Sequence, residues 1–193
     1  MSNNLLSKFG LELNVGVVGA SGGLGQAFVE QFASQLHVAK IHAFSRTQIK
    51  FENEKVESHQ IDIQSEHSIQ EALDAIGDTI LFDIVVVATG FLHDEHVSPE
   101  KTIRDVNMDY FREVFSVNTY GPALLAKYFL PRLQRDRKSV FACLSARVGS
   151  ISDNRLGGWY AYRASKAALN MILKNAAIEM ARRYKKACII GLH

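Results

Sequence analysis

The chain holds 193 residues, 47% of them hydrophobic and 22% charged, the make-up of one globular domain long enough to bury a sizeable core. Twenty-two Lys plus Arg against 20 Asp plus Glu leave a net charge of +2, too close to neutral for a dedicated nucleic-acid or acidic-membrane binder. Two cysteines, Cys143 and Cys188, exclude a disulfide scaffold and suit a reducing compartment. With no charged-then-apolar leader and no apolar run approaching about 18 residues, the expectation is a cytoplasmic protein without a membrane span.

In chain order, the first strand is predicted at 13–18 and runs into Gly19-Ala20-Ser21-Gly22-Gly23-Leu24-Gly25, after which a helix is predicted over 23–35. Glycine at a strand-to-helix turn serves three needs: a tight turn, close approach of the backbone to a pyrophosphate, and close packing of helix on strand. The free N–H groups and the positive end of the helix dipole then favour phosphate. A second strand at 40–44 ends in Ser45-Arg46, where a dinucleotide fold that prefers NAD carries an acid about 20 residues past the glycines. A hydroxyl followed by a guanidinium suits a 2′-phosphate instead, so the expected cofactor is NADP, with NAD the alternative.

A third strand follows at 56–61, then Asp62-Ile63, a helix over 66–76, and a fourth strand at 83–87 leading into Ala88-Thr89-Gly90. One long helix is predicted over 108–133, with Met108, Phe111, Val114 and Phe115 as its apolar stripe. A fifth strand at 139–144 precedes a second long helix over 159–184. Its wide apolar arc (Ala167, Ala168, Met171, Ile172, Ala176, Ile178) is expected to be buried in the core or against another subunit. A sixth strand is predicted at 187–192. Each strand is a short, nearly unbroken run of Val, Ile, Leu or Phe, the pattern of strands buried on both faces. Strict alternation of strand and helix means right-handed crossovers. The fold class expected is α/β, a doubly wound, Rossmann-like parallel sheet with helices on both faces, in a single domain over 1–193.

The second long helix carries Tyr162 and Lys166, four residues apart and so on one face. A free tyrosine has a pKa near 10, about three units above neutrality, or roughly 4 kcal/mol. A positive charge at 4 Å is worth about 4 kcal/mol at an effective dielectric of 20. Lys166, helped by an oxidised nicotinamide, therefore has the size of effect needed to make Tyr162 a working acid or base.

The glycine turn, Tyr162-Arg163-Ala164-Ser165-Lys166 and their separation resemble the short-chain dehydrogenase/reductase family over nearly the whole chain. The stretch from Ser145 through Trp159-Tyr160-Ala161-Tyr162 to Asn170 is similar to the C-factor and sniffer-type carbonyl reductase branch. The resemblance implies Tyr162 as proton donor, Lys166 as the group that orients the ribose, and Asn118, in Phe115-Ser116-Val117-Asn118-Thr119, as part of a proton relay. It implies Asp62 at the adenine and Gly90 after the fourth strand. Three departures stand out. The family's Asn-Asn-Ala-Gly reads Val87-Ala88-Thr89-Gly90 here. Ala146 occupies the usual place of the substrate-polarising serine, leaving Ser145 as the candidate and Ser150 as the alternative. The family also continues past its sixth strand through a Pro-Gly turn, a loop and a seventh strand, so the resemblance implies a C-terminally truncated domain lacking the last strand.

The expected activity is NADP(H)-dependent oxidoreduction of a carbonyl or alcohol substrate by a homodimer or homotetramer. The alternative is a dinucleotide-binding signalling or sensing module of C-factor type with little turnover. No metal site is expected: His93-Asp94-Glu95-His96 lacks the zinc H-E-x-x-H spacing, and His37, His42, His59, His67 and His193 are scattered. Cys143 reads as a core thiol.

Overall fold

A computed structural model describes residues 5–193. Six strands, β1 Leu13–Val18, β2 Val38–Ser45, β3 Val56–Gln60, β4 Ile84–Val87, β5 Ser139–Leu144 and β6 Ala187–Leu192, pair in parallel in the order β3-β2-β1-β4-β5-β6. Five α-helices cover them: α1 Gly23–Ala33, α2 Glu66–Ala75, α3 Met108–Phe115, α4 Gly121–Phe129 and α5 Tyr160–Met180. The sheet is wound outward in both directions from β1 and β4, and that reversal opens a crevice at their carboxyl ends.

Both faces are apolar, as the unbroken strand runs require. On one face Phe44, Val87, Phe141 and Cys143 meet Ile69 and Leu73 of α2, Leu125 and Phe129 of α4, and Leu169 and Leu173 of α5. On the other, Val15, Val17, Ile41 and Val86 meet Val29, Phe28 and Phe32 of α1, with Leu6 and Phe9 added from the chain before β1. Phe129 is fully buried, its ring 5.5 Å from that of Phe44 and 5.4 Å from that of Phe82. At the amino end of β4, Arg137 grips the wholly buried Asp83 with two bonds, Nε to Oδ1 at 2.6 Å and a second to Oδ2 at 2.9 Å. The N–H of Asn14 donates to the same Oδ2 at 2.9 Å, so this end of the sheet is tied by charge as well as by packing.

The helix predicted over 108–133 is broken. After α3 the backbone widens into one π turn at Ser116–Tyr120 before α4 resumes. Pro122 sits in the first turn of α4 and has no N–H to return to the carbonyl four residues back, which favours that widening. Gly121 is needed there as well, since a Cβ on it would stand 2.8 Å from Ile63 Cδ1. The apolar stripe of α3 is buried at Val114 but not at Met108, which is exposed, and Tyr110 adds to the inward face. Met171 and Ile178 on α5 are more than half exposed, so that part of its apolar arc is not buried in the core of the chain itself. No helix among the described residues is long and apolar enough to cross a membrane.

Candidate active site

The turn after β1 is built as the glycines require. Gly19 has φ +88°, and a Cβ on it would lie 3.0 Å from the backbone of Ala88. A Cβ on Gly25 would lie 2.0 Å from the carbonyl oxygen of Gly19, so α1 can start only with glycine there. Gly23 faces open space, with nothing within 4 Å of such an atom. No side chain caps the N-terminus of α1, whose first N–H groups are left for an anion.

A cleft of about 540 Å³ runs from this turn across the carboxyl ends of the strands. Gly19, Ser21, Gly22, Ser45, Arg46, Ile63, Ala88, Thr89 and Gly90, all among the candidate cofactor-binding residues, line it. Thr89 Oγ1 is buried and has no hydrogen-bond partner, an orphaned polar atom on the wall of a binding cleft. Ser45 is not a free donor, because its hydroxyl donates to the Thr47 carbonyl at 2.5 Å. Leu24 is largely exposed on the first turn of α1. Asp62 stands beside the cleft: its Oδ1 accepts the Gln64 N–H at 2.9 Å, closing its own turn, while Ile61, Ile63 and Gln64 form the wall.

Gly90 lines the cleft, and Asn118 and Lys166 are packed behind it, with Tyr162 beside Lys166. A Cβ on Gly90 would stand 3.7 Å from both Asn118 Oδ1 and Lys166 Nζ. Asn118, wholly buried in the π turn, holds both polar groups of Phe91: its Oδ1 accepts the N–H at 2.8 Å and its Nδ2 donates to the carbonyl at 2.7 Å. The Asn118 side chain thus fixes the loop after β4. Lys166 is 2% exposed, donates to the Leu144 carbonyl at 2.8 Å and lies 5.7 Å from the centre of the Tyr162 ring. Burial holds its ammonium down to about 8. Burial pushes Tyr162 above the ordinary tyrosine range. Gly149 lets the loop after β5 touch α5, where a Cβ would meet Lys166 at 2.9 Å.

Ser145 points elsewhere. Its hydroxyl donates to Asn170 Oδ1 at 2.6 Å, about two helical turns past Tyr162. Ser150 sits in the following loop with its Oγ 3.4 Å from that of Ser152. Cys143 is the core thiol expected, pushed up to about 12 by burial. Asp94 closes the His93–His96 loop by accepting the N–H groups of His96 and Val97, both at 2.8 Å.

One residue escaped sequence reasoning. Glu100, 3% exposed, places both carboxylate oxygens 3.2 Å from the Ala161 N–H in the first turn of α5, and its carbonyl accepts the Trp159 N–H at 2.6 Å. It thereby holds Trp159, which is in the left-handed region at φ 52°, directly before the helix that carries Tyr162. No local spacing announces a contact across 61 residues. By contrast, His42 and His59 do form a pair, with Nδ1 and Nε2 3.0 Å apart, correcting the view of them as scattered.

Residues 14–189 match the family model for short chain dehydrogenase. Among curated relatives, benzil reductase ((S)-benzoin forming) of Bacillus subtilis is 28% identical over 165 residues, covering 84% of this chain and 65% of the relative. C-signal of Myxococcus xanthus is 36% identical over 76 residues, 39% of this chain and 46% of the relative, in keeping with the C-factor branch. The chain therefore spans less than two thirds of the length of both relatives. NADPH-bound carbonyl reductase from chicken fatty liver superposes with a TM-score of 0.80 at 23% identity, covering 96% of this chain and 77% of that one. Carbonyl reductase sniffer of D. melanogaster gives 0.79 at 19%, covering 95% and 80%. The chain belongs to the short-chain dehydrogenase family.

Proposed function

We propose that this chain carries the site of an NADP(H)-dependent oxidoreductase acting on a carbonyl or alcohol substrate, with Tyr162 as the proton donor. The observation that carries the reading is the grouping of Asn118, Lys166 and Tyr162 around Gly90, which lines a cleft that starts at an uncapped helix N-terminus. The residues fit a dinucleotide. The open space at Gly23 and the first N–H groups of α1 suit a pyrophosphate, the unpartnered Thr89 hydroxyl offers a polar contact, and Arg46 suits a 2′-phosphate. A nicotinamide, when bound, supplies the hydride. Tyr162 does the rest of the chemistry that the chain can provide: burial keeps its phenol protonated, so it enters a carbonyl reduction as an acid. Lys166, already partly desolvated, holds a positive charge beside it. Trp159, set edge-on to Tyr162 with ring centres 6.2 Å apart, offers an apolar wall to the substrate.

The outer faces of α4 and α5 leave a groove of about 460 Å³ lined by Ala123, Ala126, Ile172, Ala176 and Met180, and we propose that a second copy covers it. The Tyr162→Phe variant, screened with NADPH against a carbonyl panel, is expected to lose turnover by about 10²–10⁴-fold while its NADPH affinity stays unchanged. Turnover that survives the change contradicts the reading. The turn of Ser145 towards Asn170 favours a second reading, a dinucleotide-binding sensing module with little turnover. In that case wild type and Tyr162→Phe bind NADPH alike and neither reduces any carbonyl.

A further inference from the structure

We propose that His42, His59 and Glu57 form a binding site for a divalent, zinc-class ion that pins the edge strand β3 to β2. His42 and Glu57 are direct register partners across the two strands, and His59 lies two residues further on, so all three side chains stand on one face of the sheet. Their ligand atoms lie within 4.8 Å of one another: His42 Nδ1 is 3.0 Å from His59 Nε2, and that atom is 4.0 Å from Glu57 Oε1. Ligand bonds of about 2.0–2.2 Å in a tetrahedron separate neighbouring donor atoms by about 3.3 Å. The two nitrogens need to open by a few tenths of an ångström, and the half-exposed carboxylate needs to close by up to about 1.5 Å.

The surroundings favour an ion. His42 is 4% exposed, crossed by the Phe82 ring at 81°, and His59 stands against Phe44 with centres 5.1 Å apart, so both imidazoles are held before anything binds. Burial keeps both rings below the ordinary histidine range, His42 at about 4, and neutral imidazole is the form that ligates. Glu57 supplies the negative charge and lies half-exposed on the sheet edge, which leaves an entry path. Its present partner, Lys40 at 2.9 Å, is 40% exposed and free to move into solvent. The site is remote from the chemistry of Tyr162. It lies three residues before Ser45, so a bound ion would brace the strand that carries Ser45 and Arg46 to the cleft.

The test is calorimetric titration of the chelator-treated full chain with zinc sulfate, with a thermal melt at each end point. Wild type is expected to take up one ion saturably and melt at a higher temperature. His59→Ala is expected to weaken uptake by more than about tenfold, and Glu57→Gln by about tenfold or more, with circular dichroism unchanged. Lys40→Gln, which frees Glu57, is expected to tighten it. The exposed pair is controlled by a His93→Gln/His96→Gln variant, expected to bind as wild type does. Absence of saturable uptake, uptake that survives His59→Ala, or uptake that follows His93 and His96 overturns the proposal. None of these readouts depends on cofactor binding or turnover, so the oxidoreductase reading stands or falls separately.

Discussion

The two ends of the sheet are built on opposite principles. At the amino end of β4 the buried carboxylate of Asp83 is fully engaged, gripped twice by Arg137 and capped by the Asn14 N–H. At the carboxyl end, a few residues along the same strand, Thr89 Oγ1 is buried without a partner and Trp159 is held left-handed. There Lys166 keeps an ammonium in a place that disfavours its charge. One end gathers satisfied groups that hold the fold together. The other gathers groups that cost stability until something binds to them.

The largest effect that sharpens this contrast lies at the amino end. Arg137→Ala strands the buried Asp83 and is expected to destabilise the protein by about 3–5 kcal/mol in denaturant unfolding. The NADPH affinity of the molecules that remain folded is expected to be unchanged, since Arg137 is at the far end of β4 from the cleft. A loss of affinity in the folded fraction would break the division between the two ends.

At the carboxyl end the sign reverses. The pKa of Lys166 falls from 10.5 to about 8 on folding, a difference worth about 3 kcal/mol at neutral pH. The unfolded chain binds more protons than the folded one between those two values, so this group makes stability rise with pH from about 8 to about 10.5. Lys166→Met removes the buried charge at the expense of one bond to Leu144. It is expected to stabilise the cofactor-free protein at pH 7 by up to about 3 kcal/mol and to flatten that alkaline rise, while abolishing turnover. Chemical unfolding at pH 7 and pH 10 measures both effects. A less stable variant at pH 7 would show that the hydrogen bond to Leu144 outweighs the buried charge.

What could be read in advance divides along the same physical line. β1, β5 and β6 begin and end where their apolar runs do; β1 and β5 are buried on both faces and leave an unbroken signal, and β6 keeps that signal although it is a half-exposed edge strand. The glycine turn and the Tyr162–Lys166 pair were legible because each acts within one or two turns of chain. The break at 116–120 was missed because the apolar stripe of α3 runs up to it; the signal was Gly121-Pro122, whose effect depends on the close approach of Ile63. The hydroxyl of Ser145 was placed by Asn170, the peptide of Phe91 by Asn118, and the start of α5 by Glu100. Each partner is 25 or more residues away, and no local periodicity encodes such a contact. The same holds for His42 and His59, which only a parallel pairing of β2 with β3 brings together.

Whether the carboxyl end is kept for a dinucleotide is decided by titrating the folded 193-residue chain with NADPH and with NADH. Trp159, the only tryptophan and a neighbour of Tyr162, reports binding through energy transfer to the nicotinamide. Saturable quenching by both cofactors is expected, about tenfold tighter for NADPH because Arg46 lines the cleft. A cooperatively folded sample that binds neither would contradict it.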